Sequence, residues 1–176
     1  ILLDLNGDGI QTVSIDIGFT FDNHANGFEN RTAWVSETDG LLVFDSRGDG
    51  FILDGSQLFG TSMKLADGTF ASSGFEALRQ FDSNHDGLIS SLDTDYLKIG
   101  VLKGEGTFET LDELGIASIS TNSTESISTD ANENTQLEVG SFTWADGQNG
   151  FLADYAFKEN TLLSSAIERV EVSAAI

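Results

Sequence analysis

The sequence predicts an α+β fold, in which short antiparallel strands and calcium-binding turns accompany one EF-hand-like helix–loop–helix and a C-terminal β-hairpin. Three observations carry that expectation. Apolar residues come in short runs broken by Asp/Asn/Gly clusters, which is the pattern of strands joined by tight turns. Residues 74–98 show helical spacing around an aspartate-rich loop at 82–93. Residues 137–144 and 151–157 flank the turn 145–150, which reads as a hairpin.

In chain order, residues 1–5, 11–17, 32–35, 41–44 and 51–53 read as strands. Phe75, Leu78 and Phe81 are spaced to share one buried face of the first helix. A short helix is expected over 110–114, ended by Gly115, a residue that tolerates the left-handed closing conformation. Residues 116–121 read as a further strand. Residues 122–136, rich in Ser, Thr, Asn and Glu, read as a mobile loop. The domain is expected to cover 1–159, with 160–176 as a weakly helical tail that frays.

Composition narrows the chemistry. Against 29 acids stand 8 lysines and arginines, for a formal charge of −21. Such a surface repels nucleic acid and anionic membrane, so neither is an expected partner. No apolar run reaches the 18 or so residues of a membrane span. With 39% hydrophobic residues and 13 phenylalanines, the chain has the material for a core and is not an acidic disordered tail. Cysteine is absent, which excludes disulfide frameworks and thiol catalysis. Aspartate outnumbers glutamate, 17 to 12, and alternates with Gly and Asn. Turns of that kind converge carboxylates and carbonyls on one point, and hard oxygen donors suit calcium.

Four loops follow from this reasoning. The strongest runs from Asp82 to Asp93 and matches the EF-hand pattern: Asp82, Asn84, Asp86, the Leu88 carbonyl, Ser90 and Asp93 are the candidate ligands, with Gly87 at the sharp turn. Asp93 stands where glutamate is usual. The second loop has the first half of such a site, in Asp4, Asn6, Asp8 and the Ile10 carbonyl. Its twelfth residue is Ile15, so Asp16 or a distant carboxylate must close the shell. The third comprises Asp45, Asp49, the Phe51 carbonyl and Asp54. Here Arg47 stands at a ligand position and either points away or replaces the metal as an internal cation. The fourth, around Asp22, Asn23, His24 and Asn26, offers one acid and reads better as a plain turn. Conventional catalysis finds little support: there are two histidines, and no G-x-S-x-G, H-E-x-x-H or phosphate-binding loop. Trp34, Trp144, Tyr96 and Tyr155 offer a sugar-stacking surface only if exposed. Their scattered positions favour the core.

The run Ile1-Leu2-Leu3-Asp4-Leu5-Asn6-Gly7-Asp8-Gly9-Ile10-Gln11-Thr12 resembles the opening of the self-processing module of RTX proteins, typified by FrpC-like proteins of Gram-negative bacteria. The resemblance continues through Gly40–Val43, the 45–51 loop, Leu58-Phe59-Gly60, Gly74–Leu78, the 82–93 loop, Leu111–Ile116 and Gly140–Thr143, covering roughly residues 1–157. It implies a calcium-dependent module of a large protein exported by type I secretion, acting outside the cell or at its surface. It further implies cleavage of an Asp-Pro bond just upstream of the module through an aspartyl anhydride, with the scissile aspartate lying before Ile1. The released aspartyl group is then expected to join lysine amines in an isopeptide bond. The implied partners are calcium ions, the upstream segment of the same chain and lysines of other proteins, the module itself being a monomer. The sequence departs from the family at 97–106, which is short and lacks a further calcium loop, and at Arg47 and Gln57. The alternative is a calcium-rigidified structural or adhesive module without catalytic activity.

Overall fold

In the computed structural model, which describes residues 1–17 and 19–160, about 40% of residues lie in strands and about 10% in helices. The strands are β1 (Leu2–Leu3), β2 (Thr12–Val13), β3 (Phe19–Phe21), β4 (Asn30–Thr32), β5 (Trp34–Val35), β6 (Gly40–Phe44) and β7 (Leu88–Ser90). They continue as β8 (Ile99–Lys103), β9 (Phe108–Thr110), β10 (Ile116–Ser120), β11 (Thr124–Thr129), β12 (Thr135–Trp144), β13 (Asn149–Ala156) and β14 (Glu159–Asn160). The α-helices among the described residues are α1 (Gly74–Arg79) and α2 (Leu111–Leu114). The protein is therefore β-rich, which corrects the α+β expectation.

One curled antiparallel sheet runs in the order β7-β10-β12-β13-β1-β6-β8-β9, with β11 beside β12. Two smaller sheets, β14-β4-β3 and β2-β5, complete the described strands. The two-residue β1 lies in the interior of the main sheet, Leu2 facing Ala153 on one side and Leu41 on the other.

The short strands work because both faces of the sheet are covered. Side chains alternate along a strand, so Leu3 and Leu42 enter one core while Leu2, Leu41 and Val43 enter the other. The first core gathers Phe59, Phe75, Leu78, Ile89, Ile99, Ile119, Phe142 and Leu152. The second packs around Trp34 and Val35, with Phe21 and Phe157 against the Trp34 ring. Two-sided burial explains why β1 and β6 read as unbroken apolar runs rather than alternating ones. Trp34 and Tyr96 are buried, in keeping with the core assignment of the aromatic residues.

The helix–loop–helix forms only in its first half. Ser73 caps α1 by accepting the Glu76 N–H at 3.2 Å, and Phe75 and Leu78 are buried as their spacing predicts. The second helix does not form. Leu88–Ser90 pairs instead with β10, placing Ile89 opposite Ile119, and a single 3₁₀ turn at Tyr96–Lys98 leads straight into β8. The β-branched residues Ile89, Ile99 and Val101 pack on a pleated, buried surface better than on a one-turn helix. Two further corrections have similar causes. Residues 122–136 form β11 and the start of β12 rather than a mobile loop, because a polar Ser/Thr strand on an exposed ladder needs no apolar alternation. Residues 51–53 are not a strand, and Phe51 and Leu53 lie exposed. The short helix is α2, with a capping box between Thr110 and Glu113 and Gly115 closing it at φ 74°. β12 and β13 form the C-terminal hairpin. The expected tail lies outside the described residues beyond Asn160.

Replacing Leu3 by Ala should cost roughly 2–5 kcal/mol, the usual range for a leucine lost from a closed core. Leu97, 78% exposed, should change stability by less than about 0.5 kcal/mol on the same substitution. Urea unfolding of the two variants checks the contrast, and equal losses would contradict the burial pattern.

Candidate metal centre

Four loops share one device, an aspartate that accepts two backbone N–H groups from its own loop. Asp4 takes Gly7 at 2.7 Å and Gly9 at 3.0 Å. Asp45 takes Gly48 at 2.9 Å and Gly50 at 2.7 Å. Asp22 and Asp82 take the N–H groups four and five residues on, those of Asn26 and Gly27 and of Asp86 and Gly87 respectively. A second oxygen side chain then turns each loop outwards: Asn6, Asn26, Asp49 and Asp86 each accept the N–H two residues on. Asp and Asn are the residues able to make these local bonds, which is why they dominate the loops.

In the 82–93 loop the structure brings the predicted ligands onto one closed turn. Asn84 Oδ1 accepts the Asp86 N–H at 3.0 Å. Asp93 spans the loop, its Oδ1 accepting Ser83 N–H at 2.8 Å and its Oδ2 accepting Ser90 N–H at 2.9 Å. Ser90 Oγ accepts Leu92 N–H at 3.3 Å. The backbone bends sharply here: His85 has φ 59° and Gly87 has φ 86°, the latter in the left-handed region that glycine enters freely.

The Asp4 loop is closed by a residue that the local pattern did not name. Asp39 is fully buried and accepts Leu5 N–H at 3.2 Å and Gln11 N–H at 2.8 Å, tying both ends of the loop together. Burial pushes its carboxyl above the usual range, against the hydrogen bonds from Gln11, Leu5 and Ser36, and the nearby Asp4 charge adds to the rise. Asp39 is thus a carboxylate distant in sequence that lies beside this loop. Its only signal was a Thr-Asp-Gly turn before the apolar run at 41–44.

The Asp45 loop holds a positive charge of its own. Arg47 Nη2 donates to Asp49 Oδ1 at 3.1 Å and to the Phe51 carbonyl at 3.2 Å, two of the predicted ligands. Gln57 also donates to the Phe51 carbonyl, at 3.2 Å. Asp54 turns away to cap its own 3₁₀ turn at Ser56. Burial opposes ionisation of Asp45. The N–H groups of Gly50, Gly48, Asp49 and Arg47 outweigh it and hold the carboxyl below its usual range. In the Asp22 loop, Asn23 and His24 are bonded to Glu159 at 2.7 and 2.8 Å.

Donor chemistry separates these loops as cation hosts. Among the described residues no three acidic or histidine side chains converge on one point, so amide, hydroxyl and carbonyl oxygens must complete any shell. The 82–93 loop fits that requirement, because a carboxylate bonded to one or two N–H groups keeps acceptor capacity to spare. The Asp4 loop fits with Asp39 added. The Asp45 loop does not, since a guanidinium already lies on its ligands.

The SPM domain family matches residues 1–158 of this chain. The chain is also 38% identical, over 182 aligned residues, to the iron-regulated protein FrpA of Neisseria meningitidis serogroup C. That match covers 98% of the chain and 16% of the relative, so the chain spans a minor part of FrpA.

In chelator, Asp82→Ala should lower stability by about 1–3 kcal/mol, because two loop N–H groups lose their acceptor. The exposed Asp8→Ala should stay within about 0.5 kcal/mol. Urea midpoints in EDTA test both. Asp45 has a depressed folded value, so the stability it contributes is present above the ordinary aspartate pKa and lost as pH falls through the folded one. Asp45→Asn should therefore flatten the loss of stability measured from about pH 4 downwards.

Proposed function

The chain belongs to the SPM domain family, and from that premise we propose that it is a calcium-dependent self-processing module of a large, exported RTX-type protein. It folds on calcium outside the cell and promotes cleavage of an Asp-Pro bond just upstream of residue 1. The observation that carries this reading is the placement of β1. That strand lies inside the main sheet and is followed at once by the Asp4 loop, so whatever orders the loop also fixes the backbone entering Ile1.

The chemistry requires little beyond such fixing. The side-chain carboxylate of the upstream aspartate attacks its own main-chain carbonyl carbon and closes a five-membered anhydride, and the proline nitrogen leaves. Holding the two groups in an attacking pose is worth up to about 7–11 kcal/mol in well-oriented intramolecular reactions. Bound calcium supplies the positive charge that lets clustered carboxylates share a folded loop. The anhydride then acylates a lysine amine. Lys98 pairs with Asp95 at 3.2 Å, Lys103 with Glu109 at 2.8 Å and Lys158 with Glu133. Lys64 forms no ion pair among the described residues and lies 5.6 Å from the Phe70 ring centre, which makes it the favoured acceptor within the chain.

A second reading, a calcium-rigidified structural or adhesive module without chemistry, draws on Arg47, which satisfies one loop without metal. One experiment separates the two. The chain is expressed with its upstream residues, including Asp-Pro, and treated with millimolar calcium, magnesium or chelator. Two fragments should appear with calcium, few with magnesium and none with chelator, and mass spectrometry should find the upstream fragment ending at that aspartate or linked through it. A chain left whole by calcium would favour the structural reading. Calcium should also sharpen the near-ultraviolet circular dichroism spectrum, and spectra identical with and without chelator would contradict calcium-coupled folding.

A further inference from the structure

A cleft of about 700 Å³ opens where the end of β6, the residues following α1 and the turn between Lys64 and Phe70 meet. That volume falls within the roughly 300–1,000 Å³ of small-ligand sites. Part of its lining is aromatic. Phe44 and Phe81 lie 4.6 Å apart between ring centres, and Phe81 is held in turn against Phe59 at 5.2 Å. Buried Met63 adds to this apolar surface, and Phe70, which is 59% exposed, completes it. Gln80 donates to the Lys64 carbonyl at 3.3 Å, which ties the end of α1 to the turn that carries Phe70.

The polar groups of the lining divide into those already satisfied and those left over. Ser62 donates to the Asn23 carbonyl at 2.6 Å, and Gln57 uses both ends of its amide, on the Leu53 N–H and the Phe51 carbonyl. Asp54 commits Oδ1 to the N–H and hydroxyl of Ser56. Its Oδ2 has no hydrogen bond among the described residues, and neither has Gln80 Oε1 or the Ser46 hydroxyl. Lys64 Nζ lies 5.6 Å from the Phe70 ring centre with no acidic partner among those residues. The remaining acid, Asp95, pairs with Lys98 at 3.2 Å. Charge around the cleft therefore balances, Asp54 against Lys64 and Asp95 against Lys98.

Such a cleft selects a class of guest. An anion meets Asp54 and the field of a chain with formal charge −21, and a cation meets Lys64 and Lys98, so neither gains net attraction. A wholly apolar guest would strip water from Asp54 Oδ2 and Gln80 Oε1 and offer no hydrogen bond in return. A neutral sugar ring suits both halves. Its C–H groups, slightly positive, rest against the negative face of an aromatic ring, and its hydroxyls both donate and accept. We propose that this cleft binds a neutral carbohydrate, seated against Phe44, Phe70 and Phe81 with its hydroxyls bonded to Asp54, Gln80 and Lys64. The site uses no candidate ligand of the Asp4 or 82–93 loops and stands whether or not the module cleaves.

The test is saturation-transfer NMR on the full chain in millimolar calcium. The probes are methyl glycosides of glucose, galactose, mannose and N-acetylglucosamine, with glucuronate and glucosamine as charged controls. At least one neutral glycoside should receive saturation and titrate, and the charged sugars should bind more weakly. Phe70→Ala should weaken that binding about 3- to 10-fold, through loss of one aromatic contact. Gln80→Ala should weaken it about 5-fold, through loss of one hydrogen bond. Both side chains are exposed, so the circular dichroism of each variant should match the parent. Ile127, exposed on β11 and absent from the cleft, serves as the control, and Ile127→Ala should bind like the parent. No saturation of any neutral glycoside overturns the proposal. So does a folded Phe70→Ala or Gln80→Ala variant that binds as tightly as the parent, an equal loss in Ile127→Ala, or a preference for the charged sugars.

Discussion

A carboxylate that reaches back to two amide groups of its own loop is the interaction on which the rest of this structure depends. It occurs at Asp4, Asp22, Asp45 and Asp82, and each instance redirects the chain before a strand or a packed segment. The main sheet has strands as short as two residues, which carry too few ladder bonds to set their own direction. Direction comes instead from the loops, and the sheet then buries apolar residues on both faces. Turn chemistry and core packing are thus parts of one arrangement: the loops aim the strands, and the strands bring distant loops together.

The same interaction bears on the charge. A chain with 29 acids and 8 lysines and arginines would repel itself if every carboxylate were left to solvent screening. Much of the aspartate is directed to backbone N–H groups, whose partial positive charge is fixed in place. Asp130 shows this outside the four aspartate loops. It accepts from Thr12, Asn132 and Asn134, and these bonds outweigh its burial and keep its carboxyl below the usual range. Asp39 is the opposite case, buried with Asp4 nearby and raised.

What the sequence disclosed depended on how local the cause was. The aspartate loops were legible because their bonds span three to five residues, and the first turn of α1 and the capping box of α2 were legible for the same reason. The expected second helix failed because the helix–loop–helix reading of 74–98 rests on a short-range pattern, whereas the pairing of Ile89 with Ile119 and of β8 with β6 is decided far away in the chain. The polar strand β11 gave no apolar signal, since it needs only the ladder of β12. Asp39 gave no local signal because its partner Gln11 comes beside it only once the chain has folded.

The position of β1 sets an order of events. Leu2 lies between Leu41 and Ala153, so the strand that begins the chain is completed by one of its last. Such a sheet has no stable partial form that includes β1 until residues from both ends are present together, and pairings this distant in sequence close slowly. A chain that folds progressively from residue 1 would hold β1 against β6 alone until β13 is available. Completion of the sheet therefore waits for the segment that carries β13.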